Sequence, residues 1–472
     1  MTKQHKLTNH PWLALLGPML GAFVGMLSET SLNIALPQLS RSLAVGNDLL
    51  QWIVTGYMLV IGIVLPLSSL LTKWLTTRQI ITTGLSAFIG GAVISALASN
   101  FSLLLAGRMI QGIGTGTILP LMFTVAMNIF PPEKMGTAMG ACSLVIMFAP
   151  AVGPTLTGLI LAKLSWHWIF WLFIPFLLVA LFFDLKFLPN ISKLTREPVD
   201  FIAVILSALG FGLVVMGFSF AARFGWTSVI VLGCLLVGIV VLGLYTHRQL
   251  TQQHPILNLR IFANSAFTKG TLLVMINFGV ILSAMYLLPQ YIQNGLLLPV
   301  ALTGIIMLPG GIINAMVSGL AGRLFDNYGA KVLATLGFMI TTIGAIMLTC
   351  VTPHSPIWYV IAAHVILMIG CPLAMSPAQT HALNALQLFE SADGSTIINT
   401  LQQVVGAIAT ALATSFLGLG TAAYHGTNHA AAFTNGVHFG MVFTVVLTVV
   451  GFLIALSLKK EPESHDVTLT DE

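Results

Sequence analysis

Apolar residues in this chain follow neither a two-residue alternation nor a single 3.6-residue stripe; they come in long runs separated by short polar punctuation. Each run is about 20 residues, the length an α-helix needs to cross about 30 Å of hydrocarbon. The pattern predicts spans over 12–36, 51–71, 79–99, 102–127, 136–162, 167–188, 201–221, 227–246, 268–292, 302–324, 331–352, 356–380, 397–419 and 436–457. Strands of a membrane barrel would read as segments of about ten residues alternating apolar and polar, a pattern absent from the sequence. The expected fold class is all-α and polytopic, with fourteen membrane helices.

Composition agrees. Of 472 residues 57% are hydrophobic and only 7% charged, with a mean hydropathy of +0.95, which excludes a soluble globular domain. The polar start leads into the first span without a secretory cleavage site, so that helix is expected to be retained. Lys and Arg gather in cytoplasmic loops, and a wrong span count would scramble their alternation. With the N-terminus inside, Lys3, Lys6, Lys73, Arg78, Lys134, Lys186, Lys193, Arg196, Arg248, Arg260, Lys269, Arg323, Lys331, Lys459 and Lys460 fall on the cytoplasmic side and only Arg41, Lys163 and Arg223 outside. That asymmetry predicts an even span count and two cytoplasmic termini. It also accounts for the basic pI, since no basic cluster with interleaved aromatics points to nucleic acid. The four cysteines lie inside apolar runs with neither disulfide-framework nor metal-ligand spacing.

Two charges do not sort into loops. Arg108 falls within the fourth span, and Glu29, in LSETSLNIALP, is the one carboxylate placed deep in a helix. An ionised acid in hydrocarbon costs several kcal/mol unless paired or hydrated, so such residues face a cavity or a partner. The bland alternative is an interface acid satisfied by the hydroxyls of Ser28, Thr30 or Ser31; for Arg108 it is bonding to backbone carbonyls that holds the bundle together. Both residues are expected at similar depth, a few Å apart along the membrane normal.

An internal repeat comes next. SLLTKWLTTRQIITTG (69–84) and GRLFDNYGAKVLATLG (322–337) align without a gap at an offset of 253, matching Leu71 with Leu324, Arg78 with Lys331 and Gly84 with Gly337. The second copy, through Gly322, Leu324, Asp326, Gly329 and Lys331, resembles the loop motif of the major facilitator superfamily; the first copy is degenerate, with Thr76 where the second Gly would stand. LLAGRMIQGIGTG carries Arg108, Gln111, Gly112 and Gly114 in the manner of that family's fourth helix, and APAVGPTLTG is similar to its antiporter signature. Fourteen spans, QWIVTGYML and LNIALP resemble the drug:proton antiporters of the QacA and EmrB kind, and LSET, TTRQ and NTLQQVVGAIATAL are most similar to the lincomycin-efflux branch.

That resemblance implies two six-helix halves, 1–200 and 261–458, with two inserted helices in 201–260 and a cytoplasmic tail, 459–472. It implies that the first and fourth helices line a central cavity, so that Glu29 and Arg108 can meet there. A carboxylate in a partly desolvated cavity suits the uptake and release of a proton as access alternates. Relatives more often carry Asp at the position of Ser28, and one residue is about 100° of helix rotation, so the acid here is expected to face a different neighbour. Pro150, Gly153, Pro154 and Gly158 are expected to gate, through close approach and kinking. Gly322, Arg323, Asp326, Lys331 and Arg78 are the candidate cytoplasmic latch. Asn33, Trp52, Tyr57, Gln111, Asn277, Tyr286, Gln290 and Gln402 are candidates to line the substrate cavity. His364, the one histidine well inside a span, is a lesser candidate for the proton route, and His167 an interfacial anchor.

The expected function is proton-coupled efflux of neutral or monocationic amphipathic drugs, lincosamides among them, by a monomer in the bacterial cytoplasmic membrane. The alternative is a proton symporter importing a small nutrient on the same fold. GIGTG at 112–116 lies in a span with no preceding strand and no following Lys-Ser/Thr, so no nucleotide, other cofactor or metal is expected. A membrane enzyme would need several convergent catalytic groups at membrane depth, and one acid is there.

Overall fold

A computed structural model describes residues 10–191, 194, 200–252, 255, 257–387 and 390–458, with the backbone alone at several helical positions, Lys73, Arg323 and Asp326 among them. Among the described residues every regular element is helical, and 13 helices, or 14 with one bent pair counted as a span, are long and apolar enough to cross a membrane. They are α1 (Pro11–Leu43), α2 (Trp52–Trp74), α3 (Thr77–Ala96), α4 (Phe101–Ile129), α5 (Pro132–Lys163), α6 (His167–Phe187), α7 (Phe201–Phe224), α8 (Val229–Thr251) and α9 (Ser265–Gln290, extended by a π-helical turn at Tyr291–Gly295). Then follow α10 (Val300–Gly322), α11 (Asn327–Thr349), α12 (Ile357–Asn384), α13 (Ser391–Ala422) and α14 (His429–Leu456).

Most differences from the predicted spans are at the ends. The first predicted span ends at 36, yet the helix runs through Pro37, whose ring removes one helix hydrogen bond, to Leu43, where Ala44 caps it in the left-handed conformation. In a membrane bundle neighbouring helices tolerate such a proline. α14 begins seven residues before 436, because Asn428 accepts hydrogen bonds from Ala430 N and Ala431 N (2.9 and 3.1 Å) and starts an alanine-rich turn of good helix propensity but low hydropathy.

Rings of His10 and Phe187, and of Trp12 and Phe130, meet at one end of the bundle, where Lys269 also donates to Ser457 O at 2.9 Å. The described chain therefore begins, at His10, and ends, at Leu458, with both of these termini at this end. Helix α1 packs on α4, α5 and α6, and α3 on α4 and α6; on the other side α9 packs on α12, α13 and α14, and α11 on α12. The two groups meet where α5 lies on α10 and α2 on α13.

The offset of 253 reappears as a packing device. Gly91 on α3 lies so close to α4 that a β-carbon there would sit 2.6 Å from Gly107 O, and Gly344 on α11 so close to α12 that one would sit 2.5 Å from Leu367 N. Small residues let membrane helices approach backbone to backbone, where packing and not water exclusion drives association. The two loops of the repeat differ in their turn chemistry. Gly329, in the first turn of α11, has φ 72°, a conformation open to glycine, and breaks the helical backbone there. Thr76, its counterpart, stays at φ −70° and caps α3 through a reciprocal pair with Gln79.

Helices α7 and α8 pack on each other, and α7 on α13 and α2, so the inserted pair sits at the seam between the two groups. At the end away from the termini it is fastened to both: Gln51 Nε2 donates to Ser219 O (3.2 Å) and Trp226 Nε1 to Ser415 Oγ (3.1 Å). At the end bearing the termini Asp200 caps α7 at Ala203 N and takes two bonds from Arg248 of α8, at 2.7 and 3.0 Å. The Arg248 guanidinium holds the Asp200 carboxyl below the usual carboxylate range. A depressed acid contributes stability above its unfolded pKa, near 4, and loses it as pH falls through the folded value. Asp200→Asn is therefore expected to melt below wild type at pH 7 and to approach it as pH falls through the folded value, as read by thermal unfolding of the protein in nanodiscs.

Candidate functional site

Four consecutive polar residues on α1, Ser28 to Ser31, are all buried. Ser31 Oγ donates to Leu27 O at 2.6 Å and Thr30 Oγ1 to the same carbonyl at 3.4 Å, so these hydroxyls are satisfied within their own helix. Ser28 and Glu29 face outward from α1 to different neighbours.

Ser28 belongs to Arg108. The guanidinium donates to Ser28 Oγ (2.5 Å), Gln111 Oε1 (2.9 Å), Ile53 O (3.1 Å) and Ser28 O (3.4 Å), and lies 3.9 Å over the Tyr57 ring. Tyr57 Oη in turn donates to Gly25 O at 2.8 Å, and Gln111 Nε2 donates to Ser95 Oγ at 2.9 Å. One fully buried arginine thus ties α1, α2 and α4, with α3 joined through Ser95. Its donors are spent on carbonyls, a hydroxyl and an amide rather than on the Glu29 carboxylate.

Glu29, about 100° further round the helix, faces the opposite group. The Gln403 side chain on α13 lies beside its carboxylate, with the Arg108 charge close enough to act on it through space. Oε2 has no partner, although Glu29 is 1% exposed. A buried carboxylate oxygen with no donor is costly to maintain, which marks it as a place where a proton or a cation binds. Asn33, one turn along, is also buried with both amide atoms unpartnered.

Helix α5 backs this turn. A β-carbon on Gly153 would meet Thr30 Oγ1 in a clash and lie 3.3 Å from Leu27 O, so only glycine allows the contact. On the other side Thr155 Oγ1 donates to Gly304 O of α10 at 3.0 Å, and a β-carbon on Gly158 would lie 3.1 Å from Val300 O. Between Thr137–Pro150 and Val152–Lys163 the helix bends by 40°. Pro150, Gly153, Pro154 and Gly158 therefore sit where one helix touches both the Glu29 turn and the opposite group.

The other candidates divide. Tyr57 and Gln111 serve the Arg108 network, and Trp52 packs on Phe220 of the inserted α7 at 5.9 Å between centroids. Asn277, Tyr286 and Gln290 are fully buried on α9; both amide atoms of Asn277 lack partners, whereas Gln290 Oε1 accepts from Asn294 Nδ2 at 3.1 Å. Gln402 is buried beside Gln403, which is the residue that reaches Glu29. His364 is buried against Gly310 with neither ring nitrogen bonded, and His167 bonds Ala98 O at 3.1 Å. Of the latch candidates, the side chains of Arg323 and Asp326 lie outside the described residues, Gly322 is exposed and Lys331 half-buried, while Arg78 donates to Leu188 O (3.0 Å) within its own group of helices.

Sequence reasoning missed Gln403 and Asp184. The signal for Gln403 was two adjacent amides in an otherwise apolar span, of which Gln402 was chosen. Asp184 reads as a span-end charge but is fully buried in the last turn of α6, bonded by Thr82 Oγ1 at 2.5 Å. Among the described residues no cluster of His, Cys, Asp or Glu could hold a metal ion.

Residues 19–410 match the family model described as Major Facilitator Superfamily. The chain is 46% identical over 457 residues to the lincomycin resistance protein LmrB of Bacillus subtilis (strain 168), covering 95% of each chain. It is 44% identical over 449 residues to the protein of the same name from Listeria monocytogenes serovar 1/2a, covering 94% of this chain and 95% of that one. In three dimensions it resembles the xylose transporter XylE from E. coli with a TM-score of 0.64 at 14% identity, over 98% of this chain and 100% of that one.

Proposed function

The chain belongs to the Major Facilitator Superfamily, a family of transporters rather than enzymes, and from that premise we propose that it exports neutral or monocationic amphipathic compounds, lincosamides among them, in exchange for protons. The observation that carries this reading is Glu29: a buried carboxylate beside Gln403 across the seam, with Oε2 unpartnered. Residues 1–200 and 261–458 are the two halves that move against each other, both termini face the cytoplasm of a bacterium, and the monomer is the working unit.

While Glu29 is ionised its charge attracts the neighbouring Gln403 amide and draws the halves together, and the open oxygen is free for a cationic or hydrogen-bonding substrate. Protonation removes the charge, weakens both interactions and releases the substrate. Proton and substrate thus compete for one group, which is the coupling an antiporter needs. Helix α5, in contact with both the Glu29 turn and α10, is placed to carry the change across the seam.

One acid neutralises one positive charge, so monocations should be preferred to dications. Asp184 does not alter this, because it is bonded to Thr82 within the first six helices and away from the seam. The test is reconstitution in liposomes with an internal pH dye and an imposed pH gradient. Lincomycin and monocationic dyes are expected to drive proton movement opposite to their own. Movement of both in the same direction would establish the importing symporter instead, and proton flux indifferent to any substrate would remove the antiport reading.

A further inference from the structure

Where the inserted pair meets α13 near the end bearing the termini, the helices part around a cavity of about 380 Å³. Phe211 of α7, Leu242, Tyr245 and Leu250 of α8 and Ile397, Thr400 and Leu401 of α13 contribute to its lining. The wall is apolar except for three hydroxyls; Thr246 is exposed, while Tyr245 is 3% and Thr400 1% exposed and neither of those two oxygens has a hydrogen-bond partner. The Ser207 hydroxyl beside Tyr245 is unpartnered as well. Buried hydroxyls left bare are costly, and a cluster of them around a cavity marks a place for a ligand with a hydrogen-bonding group.

We propose that this cavity is a lateral binding site for membrane-dissolved amphipathic substrate, through which it reaches Glu29, and that this is what the two inserted helices supply. The inference rests on the export reading above. Thr400 forms part of the wall, and its carbonyl lies where α13 passes Gly62 of α2. Gln403, the partner of Glu29, is three residues on, about 4.5 Å along the helix axis. The pair α7–α8 is hydrogen-bonded to α2 and α13 at the far end, through Gln51 and Trp226, so the opening lies at the other. A lipid acyl chain would fill the volume but leave both hydroxyls bare. A compound with an apolar body and a carbonyl or ether oxygen satisfies both requirements.

The experiment uses the full chain in proteoliposomes with rhodamine 6G, a lipophilic monocation bearing an ester carbonyl, and compares wild type with Tyr245→Phe/Thr400→Val and with Leu401→Trp. The double variant keeps the cavity's shape and removes its two buried hydroxyls; the tryptophan fills it. The KM for the dye is expected to rise about fivefold for each lost hydroxyl and at least roughly tenfold on filling. The kcat should stay as in wild type, because the Glu29 chemistry is untouched. Unchanged KM in both variants would overturn the inference and leave the export reading standing. Native mass spectrometry showing a phospholipid held by wild type and lost from Leu401→Trp, with dye KM unchanged, would assign the cavity to lipid. A wild-type protein that moves neither rhodamine 6G nor lincomycin would remove the export reading and this inference with it.

Discussion

Glu29→Gln is expected to abolish substrate-driven proton movement while leaving a folded protein that still binds neutral substrate. Glutamine has the same length and shape, and its amide can keep the contact with Gln403 that the carboxylate makes. What it loses is the ability to alternate between charged and neutral, which is the whole of the proposed coupling. Monocationic dyes should lose affinity, since an uncompensated charge would have to be buried in the seam. In the liposome assay the pH-dye signal on adding lincomycin should fall to that of protein-free vesicles. Proton-coupled export that survives the change would reduce Glu29 to a packing residue and move the search to His364, which is buried with both ring nitrogens unpartnered. A double exchange, Ser28→Asp with Glu29→Ser, tests the geometry further: it returns the acid to the face that Arg108 occupies, where a carboxylate would pair with the guanidinium instead of Gln403. Coupling that reappears there would show that depth, and not the Gln403 contact, is what matters.

The helices, their number and the repeat were legible because hydrophobic length and charge asymmetry are one-dimensional signals. A 20-residue apolar run has few alternatives, and Gly84 and Gly337 could be matched by eye. Gly91 and Gly344 continue the same register, yet they stand out only once α3 and α4, and α11 and α12, are seen backbone to backbone. The site was half legible. Glu29 and Arg108 declare themselves as charges where charge is expensive, and their similar depth follows from counting rise along two helices. The facing of each does not. That Ser28 takes the arginine and Glu29 faces away depends on 100° of rotation and on which helix fills each direction, and Gln403 is distant from both in sequence. Asp184 illustrates the opposite error: its place near a span end suggests solvent, while packing of α6 against α1 and α3 buries it.

Arg108 carries the second large expectation, and it concerns folding before transport. Its side chain is among the largest that are fully buried, and it serves Ser28, Gln111 and the Ile53 carbonyl while covering the Tyr57 ring. Truncation to alanine would open a void the size of most of an arginine and leave those acceptors bare, a loss on the order of 3–5 kcal/mol. That is a large share of the stability of a typical fold, so Arg108→Ala is expected to yield little folded protein, read as loss of a monodisperse peak after detergent extraction. Arg108→Lys and Arg108→Gln together separate anchoring from coupling. Lysine keeps the charge near Glu29 but replaces a planar five-donor fork with three donors on a flexible stem, and it cannot stack on Tyr57 in the same way. If Arg108 acts mainly as the pin of α1, α2 and α4, the lysine variant should melt well below wild type yet couple protons to substrate with unchanged stoichiometry once folded. If the charge itself sets when Glu29 gives up its proton, the lysine variant should retain the pH profile of transport, and a neutral Arg108→Gln variant that still folds should shift that profile toward higher pH, because the ionised carboxylate would have lost its one nearby positive charge.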